Sequence, residues 1–146
     1  MAQPVPSARG AAGHRVGPHT ADCVIEAWGP DRPACLTEAL LALVEVFAVP
    51  EAEAPVRVVP LWVEPASVVD ILVSLLEDAI YVTDVIGVPV RFHLVDTDNG
   101  GVCGYMEVVD PSQVDQVGPI PKGVSYHDID MAEHDGEWSC RAVIDV

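Results

Sequence analysis

Positive charge is scarce in this sequence. Lys122 is its single lysine, and seven basic side chains in all face 23 acidic ones, for a formal net charge of −16. Two of the arginines, Arg9 and Arg15, lie in the first eighteen residues, so residues 19–146 hold five basic against 23 acidic groups. A domain with that excess repels phosphate backbones at long range, so direct binding of RNA or DNA is not expected. Basic protein surfaces and divalent cations are attracted instead. CxxC pairs are also missing. Cys23, Cys35, Cys103 and Cys140 are separated by wide, irregular gaps, which argues against a structural zinc or a disulfide framework and fits a reducing cytosol. No stretch is both long and uncharged enough to span a membrane, and the N-terminus has no apolar run of signal-peptide length. A cytoplasmic protein is expected. Nor does the chain contain a GxSxG elbow, an HExxH pair, a phosphate loop or an internal repeat.

What remains is one ordinary domain. A chain of 146 residues, half of them hydrophobic, can bury a core without staples. Residues 1–18, rich in Pro and Gly and free of acids, read as a flexible tail, with the domain covering 19–146. Asp22 to Trp28 reads as a strand stopped by Gly29-Pro30-Asp31. Leu36 to Phe47 reads as a helix buried on most faces. Val56 to Val63 is a β-branched strand in which Pro60 predicts an edge or a bulge. The next helix, with Pro65 in its first turn, carries one polar stripe at Asp70, Ser74, Glu77 and Tyr81. Gly87 ends it. The rest is β: Val88 to Leu94 and Val102 to Val109 around Asp98-Asn99-Gly100-Gly101, then Gly123 to Asp130 and Glu137 to Val146 around His134-Asp135-Gly136. A loop, 110–121, joins the two hairpins. The order, roughly βαβαββββ, predicts an α+β fold with two helices packed on one face of a mixed β-sheet of about six strands.

Three segments could carry chemistry. Asp96 to Gly101, followed by Glu107, partly mimics an EF-hand calcium loop. Gly stands at the fifth loop position, however, and the flanks have strand periodicity, so a solvated hairpin turn is the better reading. The other two are His19-Thr20-Ala21-Asp22, directly before the first strand, and Lys122-Gly123-Val124-Ser125-Tyr126-His127-Asp128. The latter puts a cation, a phenol, an imidazole and a carboxylate within seven residues, as a contact or catalytic patch would need. The competing reading is a capped strand start and a polar strand face, and spacing alone favours it. Within the strand, Tyr126 and Asp128 share one face while Ser125 and His127 share the other. They point outward together only if the strand bulges or lies at an edge.

These segments resemble the archease family. The opening His-Thr-Ala-Asp motif is matched by His19 to Asp22, and a Lys-x-Val-(Thr/Ser)-Tyr-His motif by Lys122 to His127. A Gly-x-Trp step is matched by Gly136-Glu137-Trp138, and an Asp-hydrophobic terminus by Asp145-Val146. The helix ending Leu75-Leu76-Glu77-Asp78-Ala79-Ile80-Tyr81 is similar to that family's Leu-Leu-x-x-x-(hydrophobic)-Tyr helix. The residues before His19 and the loop 110–121 depart from the pattern. The resemblance implies a non-catalytic accessory protein. It would activate the GTP-dependent RNA ligase of tRNA splicing, the RtcB type, by promoting guanylylation of the ligase and its multiple turnover. The resemblance makes His19, Lys122, Tyr126, His127 and Asp128 the partner-binding residues.

It also implies a metal site. Asp22 starts the first strand and Asp145 lies on the polar parity of the last. If those strands are neighbours, the two side chains and the Val146 carboxylate converge, and like charges so placed favour a cation between them. Oxygen-only donors select a divalent cation such as Ca²⁺ or Mg²⁺, with Ca²⁺ preferred. Without the resemblance, Asp22 as a turn cap and Asp145 as a solvated side chain is the simpler reading. Two further functions compete with the activator: a metal-dependent enzyme using Asp22 and His127, and a chaperone-like protein-binding module.

Overall fold

The computed structural model describes residues 11–17, 22–51 and 53–146. Nine strands and two helices follow one another as β1 (Gly13–Val16), β2 (Asp22–Gly29), α1 (Arg32–Glu45), β3 (Ala48–Pro50), β4 (Arg57–Val63), α2 (Val68–Val85), β5 (Val88–Asp96), β6 (Val102–Val109), β7 (Val114–Gln116), β8 (Gly123–His134) and β9 (Glu137–Asp145), with a 3₁₀ turn at Pro111–Gln113. The α+β class and the two helices are as the sequence predicts. The strands, however, form three sheets in the orders β1-β2-β9-β8, β3-β7 and β4-β6-β5. Every pairing between them is antiparallel. A single mixed sheet of about six strands is thus corrected to nine strands in three antiparallel sheets. The extra pair, β3 with β7, lies partly in the stretch read as a loop.

Each helix touches strands of both larger sheets: α1 meets β2, β9 and β5, and α2 meets β8, β5 and β4. Packing on one face of one sheet is therefore also corrected. Composition gives the reason. The buried residues of α1 (Cys35, Leu36, Ala39, Leu40, Ala42, Leu43) and of α2 (Ile71, Leu72, Leu75, Leu76, Ala79) span more than one side of each helix, so one sheet cannot cover them. Each fully buried Leu contributes about 1.5–3 kcal/mol of transfer free energy. Helix α1 begins four residues before Leu36, because Asp31 accepts from the Ala34 amide at 2.8 Å as N-cap and Pro33 occupies the first turn. Helix α2 begins after Ser67, whose hydroxyl accepts from the Asp70 amide, so Pro65 precedes the cap instead of entering the first turn. Among the described residues no helix is long and apolar enough to cross a membrane.

Ordered structure also starts earlier than residue 19. Gly13–Val16, inside the stretch read as tail, pairs with Ile25–Trp28 of β2. Its cations are the cause. Arg15 Nη2 lies 3.2 Å from Glu26 Oε2. His14 Nδ1 lies 3.0 Å from Glu38 Oε1, and its Nε2 meets Glu45. Across the four-stranded sheet, Arg15, Glu26, Arg141 and Asp130 stand in successive register, one on each strand and alternating in charge. Opposite charges directly across strands stabilise pairing, and here they tie the edge strand down.

In the three-stranded sheet, β4 is an edge, as Pro60 predicts. A Cβ at Gly104 would sit 1.7 Å from the His93 carbonyl oxygen, so only glycine lets the middle strand pass there. All four cysteines are free thiols, and Cys23, Cys35 and Cys140 are buried among apolar neighbours.

Candidate functional site

The site grows from the register of β2, β9 and β8. Along β2, Cys23, Ile25 and Ala27 are buried. Along β9 the buried residues are Cys140, Ala142 and Ile144. The alternate residues therefore face away from the core. Asp22 and Asp145 belong to that outer set, are exposed, and are direct register partners at the end of the pair. Directly opposed side chains share a face with Cβ atoms about 4.5–5.5 Å apart. On the far side of Asp145 stands Gly123 of β8, and the Lys122 amide donates to the Asp145 carbonyl at 2.7 Å. Three segments far apart in sequence thus meet in one row: the start of β2, the lysine segment and the C-terminus.

Two like charges directly opposite each other destabilise a strand pair, and a hard cation between them reverses that sign. The two carboxylates offer oxygen donors only, the type such an ion takes. Among the described residues no three His, Cys, Asp or Glu side chains gather to hold a metal.

The second half of the site is an edge. Strand β8 is the outermost of its sheet, and its register with β9 breaks between Ser125 and Asp130. Ser125 pairs with Val143 and Asp130 with Arg141, so the four residues Tyr126 to Ile129 span the place of Ala142 alone. This is the bulge at an edge that the parity of Tyr126 and His127 predicts. Asp128 turns it with φ of 59°, a left-handed conformation that Asp tolerates better than most residues. The result exposes Lys122, Tyr126, His127 and Asp128 together. The His127 amide donates to Ser125 Oγ at 3.2 Å, closing the turn. His19, the fifth expected contact, lies outside the described residues.

Sequence reasoning missed what holds the bulge. The Tyr126 hydroxyl donates to Glu77 Oε1 at 3.1 Å, bridging β8 to α2. That bond and the nearby Glu77 and Asp70 charges push the phenol's ionisation above its ordinary value. Glu77 was visible as part of the polar stripe of α2, but a stripe reads as solvated surface until its neighbour is known. His14 was missed as well. Burial pulls its imidazolium down, yet the bonds to Glu38 and Glu45 outweigh this, and the net shift is upward.

The calcium-loop mimic does not assemble. Glu107 faces Arg91 at 2.8 Å and His93 at 2.7 Å, and these hold its carboxyl down to about 2. Asp96 is bound by Arg32 Nε at 2.8 Å, and Arg32 also donates to the carbonyls of Gly100 and Gly101. The segment is a hairpin turn pinned to α1.

The sequence matches the model of the archease protein family over residues 14–146. Two curated relatives from strains of Mycobacterium tuberculosis, each named "Probable protein archease", are 38% identical over 136 residues, covering 92% of this chain and 75% of theirs. The solution structure of Methanobacterium thermoautotrophicum protein 1598 superposes with a TM-score of 0.69 at 22% identity, covering 92% of this chain and 99% of that one. A crystal structure from Thermotoga maritima, described as an archease and possible chaperone, gives 0.64 at 18% identity, covering 100% of this chain and 98% of that one. At these identities the two structures bear on the fold alone.

Proposed function

The chain belongs to the archease family, and from that premise we propose that it is an accessory protein, with no catalytic residue of its own, that activates an RtcB-type GTP-dependent RNA ligase of tRNA splicing. It does so by promoting guanylylation of the ligase and its repeated turnover. The observation that carries this reading is the meeting of Asp22, Asp145 and Lys122 at one end of one sheet, beside an exposed bulge at its edge.

Each part has a role in docking. Lys122, Tyr126, His127 and Asp128 are the partner-facing contacts. They sit on an edge strand, where a partner reaches them without opening the core. The net charge of −16 favours a basic ligase surface and disfavours the RNA itself. Asp22, Asp145 and the Val146 carboxylate would hold a divalent cation, Ca²⁺ by preference. When bound, that ion supplies positive charge that neutralises the row and fixes the C-terminus. Lys122 is anchored through its main chain to the same Asp145, so ordering this end also orders the lysine.

The enzyme alternative needs Asp22 and His127 in one site. They lie on strands separated by β9, and His127 is about three residues further along the sheet. Strand spacing and rise put them on the order of 10 Å or more apart. The chaperone-like alternative predicts protection of an unrelated unfolding protein from aggregation. The test is guanylylation of a purified ligase by GTP with and without this protein. Acceleration supports the activator, and substrate turnover with no ligase present supports the enzyme.

A further inference from the structure

We propose that the groove between β4 and α2 is a docking site for a segment of another protein that presents an arginine or lysine side chain. Its walls come from two elements. Strand β4 contributes Pro60 and Trp62, and α2 contributes Asp78, Tyr81 and Val82, with Ile86 just beyond the helix. Trp62 is 72% exposed and Tyr81 64%, so each of the two elements that line the furrow carries one large exposed ring. Asp78 lies one helical turn below Tyr81 and Val82, on the same flank. Its carboxyl is half-buried and makes no hydrogen bond or ion pair with any described residue. Burial, with the adjacent Glu77 charge, raises its ionisation above the usual carboxylate range.

Charge and chemistry select the occupant. A partly desolvated carboxylate without a counter-ion favours a cation. Aromatic faces beside it favour the same cation through their π-systems and cover its aliphatic stem. A second copy of this chain is a poor occupant. Two chains of net charge −16 repel, and Pro60 removes a main-chain donor from the middle of the edge that two copies would have to pair. A strand-like ladder is weakened in the same way, so side-chain anchoring dominates. Tyr81 shares the polar stripe of α2 with Glu77, but Asp78, Val82 and the β4 wall lie beside that stripe and none of them belongs to the bulge, and the test of this surface needs no ligase.

The experiment is a titration of the full chain with a short peptide alternating valine and arginine, read by calorimetry and by tryptophan emission. Trp62 is far more exposed than the half-buried Trp28 and Trp138, so its emission should report binding. The same peptide with glutamate for arginine should not bind. Asp78→Asn and Trp62→Ala should each weaken the arginine peptide on the order of fivefold. Asp135→Asn, in the distant β8–β9 turn, should change it less than about twofold and so measures non-specific attraction to an acidic protein. Equal loss in all three variants, or equal binding of the glutamate peptide, overturns the proposal. So does a dimer in sedimentation that Trp62→Ala dissolves, because the occupant would then be a second copy.

Discussion

Asp22 and Asp145 stand directly opposite each other in the β2–β9 pair, on the face turned away from the core. The cation proposed between them would link metal binding to stability. Calcium at about a hundred times its dissociation constant should add roughly 2.7 kcal/mol to the unfolding free energy. That gain should vanish in Asp22→Ala and Asp145→Asn and should shrink when residues are appended after Val146. Thermal melting with and without calcium checks all three. A calcium shift that survives every change would place the ion elsewhere.

His14 gives the fold a pH-dependent clamp. Both of its ring nitrogens meet carboxylates, Glu38 and Glu45, an arrangement that favours the protonated ring, in which both nitrogens donate. Arg15 and Glu26 are the charged neighbours on the same pair of strands. The folded-state value is raised, so this contribution is fully present below the unfolded value of about 6.5 and is lost as pH rises through the raised folded value. Hydrogen exchange of the Gly13–Val16 amides should therefore be slowest near pH 5.5, after correction for intrinsic rates, and opening should increase towards pH 9. His14→Ala should flatten that profile. An unchanged profile in the variant would remove His14 from the account.

Glu77 positions Tyr126. The phenol's ionisation is raised by its bond to Glu77, so the bond holds below the ordinary tyrosine value and is lost as pH rises through the raised one. In Glu77→Gln, with the charge gone, the ultraviolet titration of one tyrosine should move back towards pH 10. Ligase activation should fall in Tyr126→Phe and Glu77→Ala while the melting temperature barely moves. A titration curve identical to that of the parent protein would mean that the bridge does not form in solution.

Much of this was legible in the sequence, for identifiable reasons. The alternation Trp138, Cys140, Ala142, Ile144 fixes which face of β9 is outward, and so places Asp145. The parity conflict of Tyr126 and His127 predicts the bulge, and Pro60 predicts the edge strand. What was not legible depends on contacts between distant segments. Nothing in the local pattern around Arg15 says that it will lie across from Glu26, so β1 reads as tail. Val114 to Gln116 is too short to show a period, so its pairing with Ala48 to Pro50 reads as loop. Glu77 carries no signal beyond its place on a polar stripe, because its partner is 49 residues away.

The central claim is that Lys122 and its neighbours act on a ligase partner, and Lys122→Ala tests it most directly. The side chain is exposed, so its removal should change stability by less than about 0.5 kcal/mol. The measurement is the rate of ligase guanylylation by GTP with parent protein or variant at equal concentration, alongside the melting temperature of each. The account predicts clear acceleration by the parent protein, most of it lost in Lys122→Ala, with melting temperatures that coincide. Guanylylation rates unchanged by the parent protein would contradict the activator role, and activity lost only in step with stability would make the lysine segment structural.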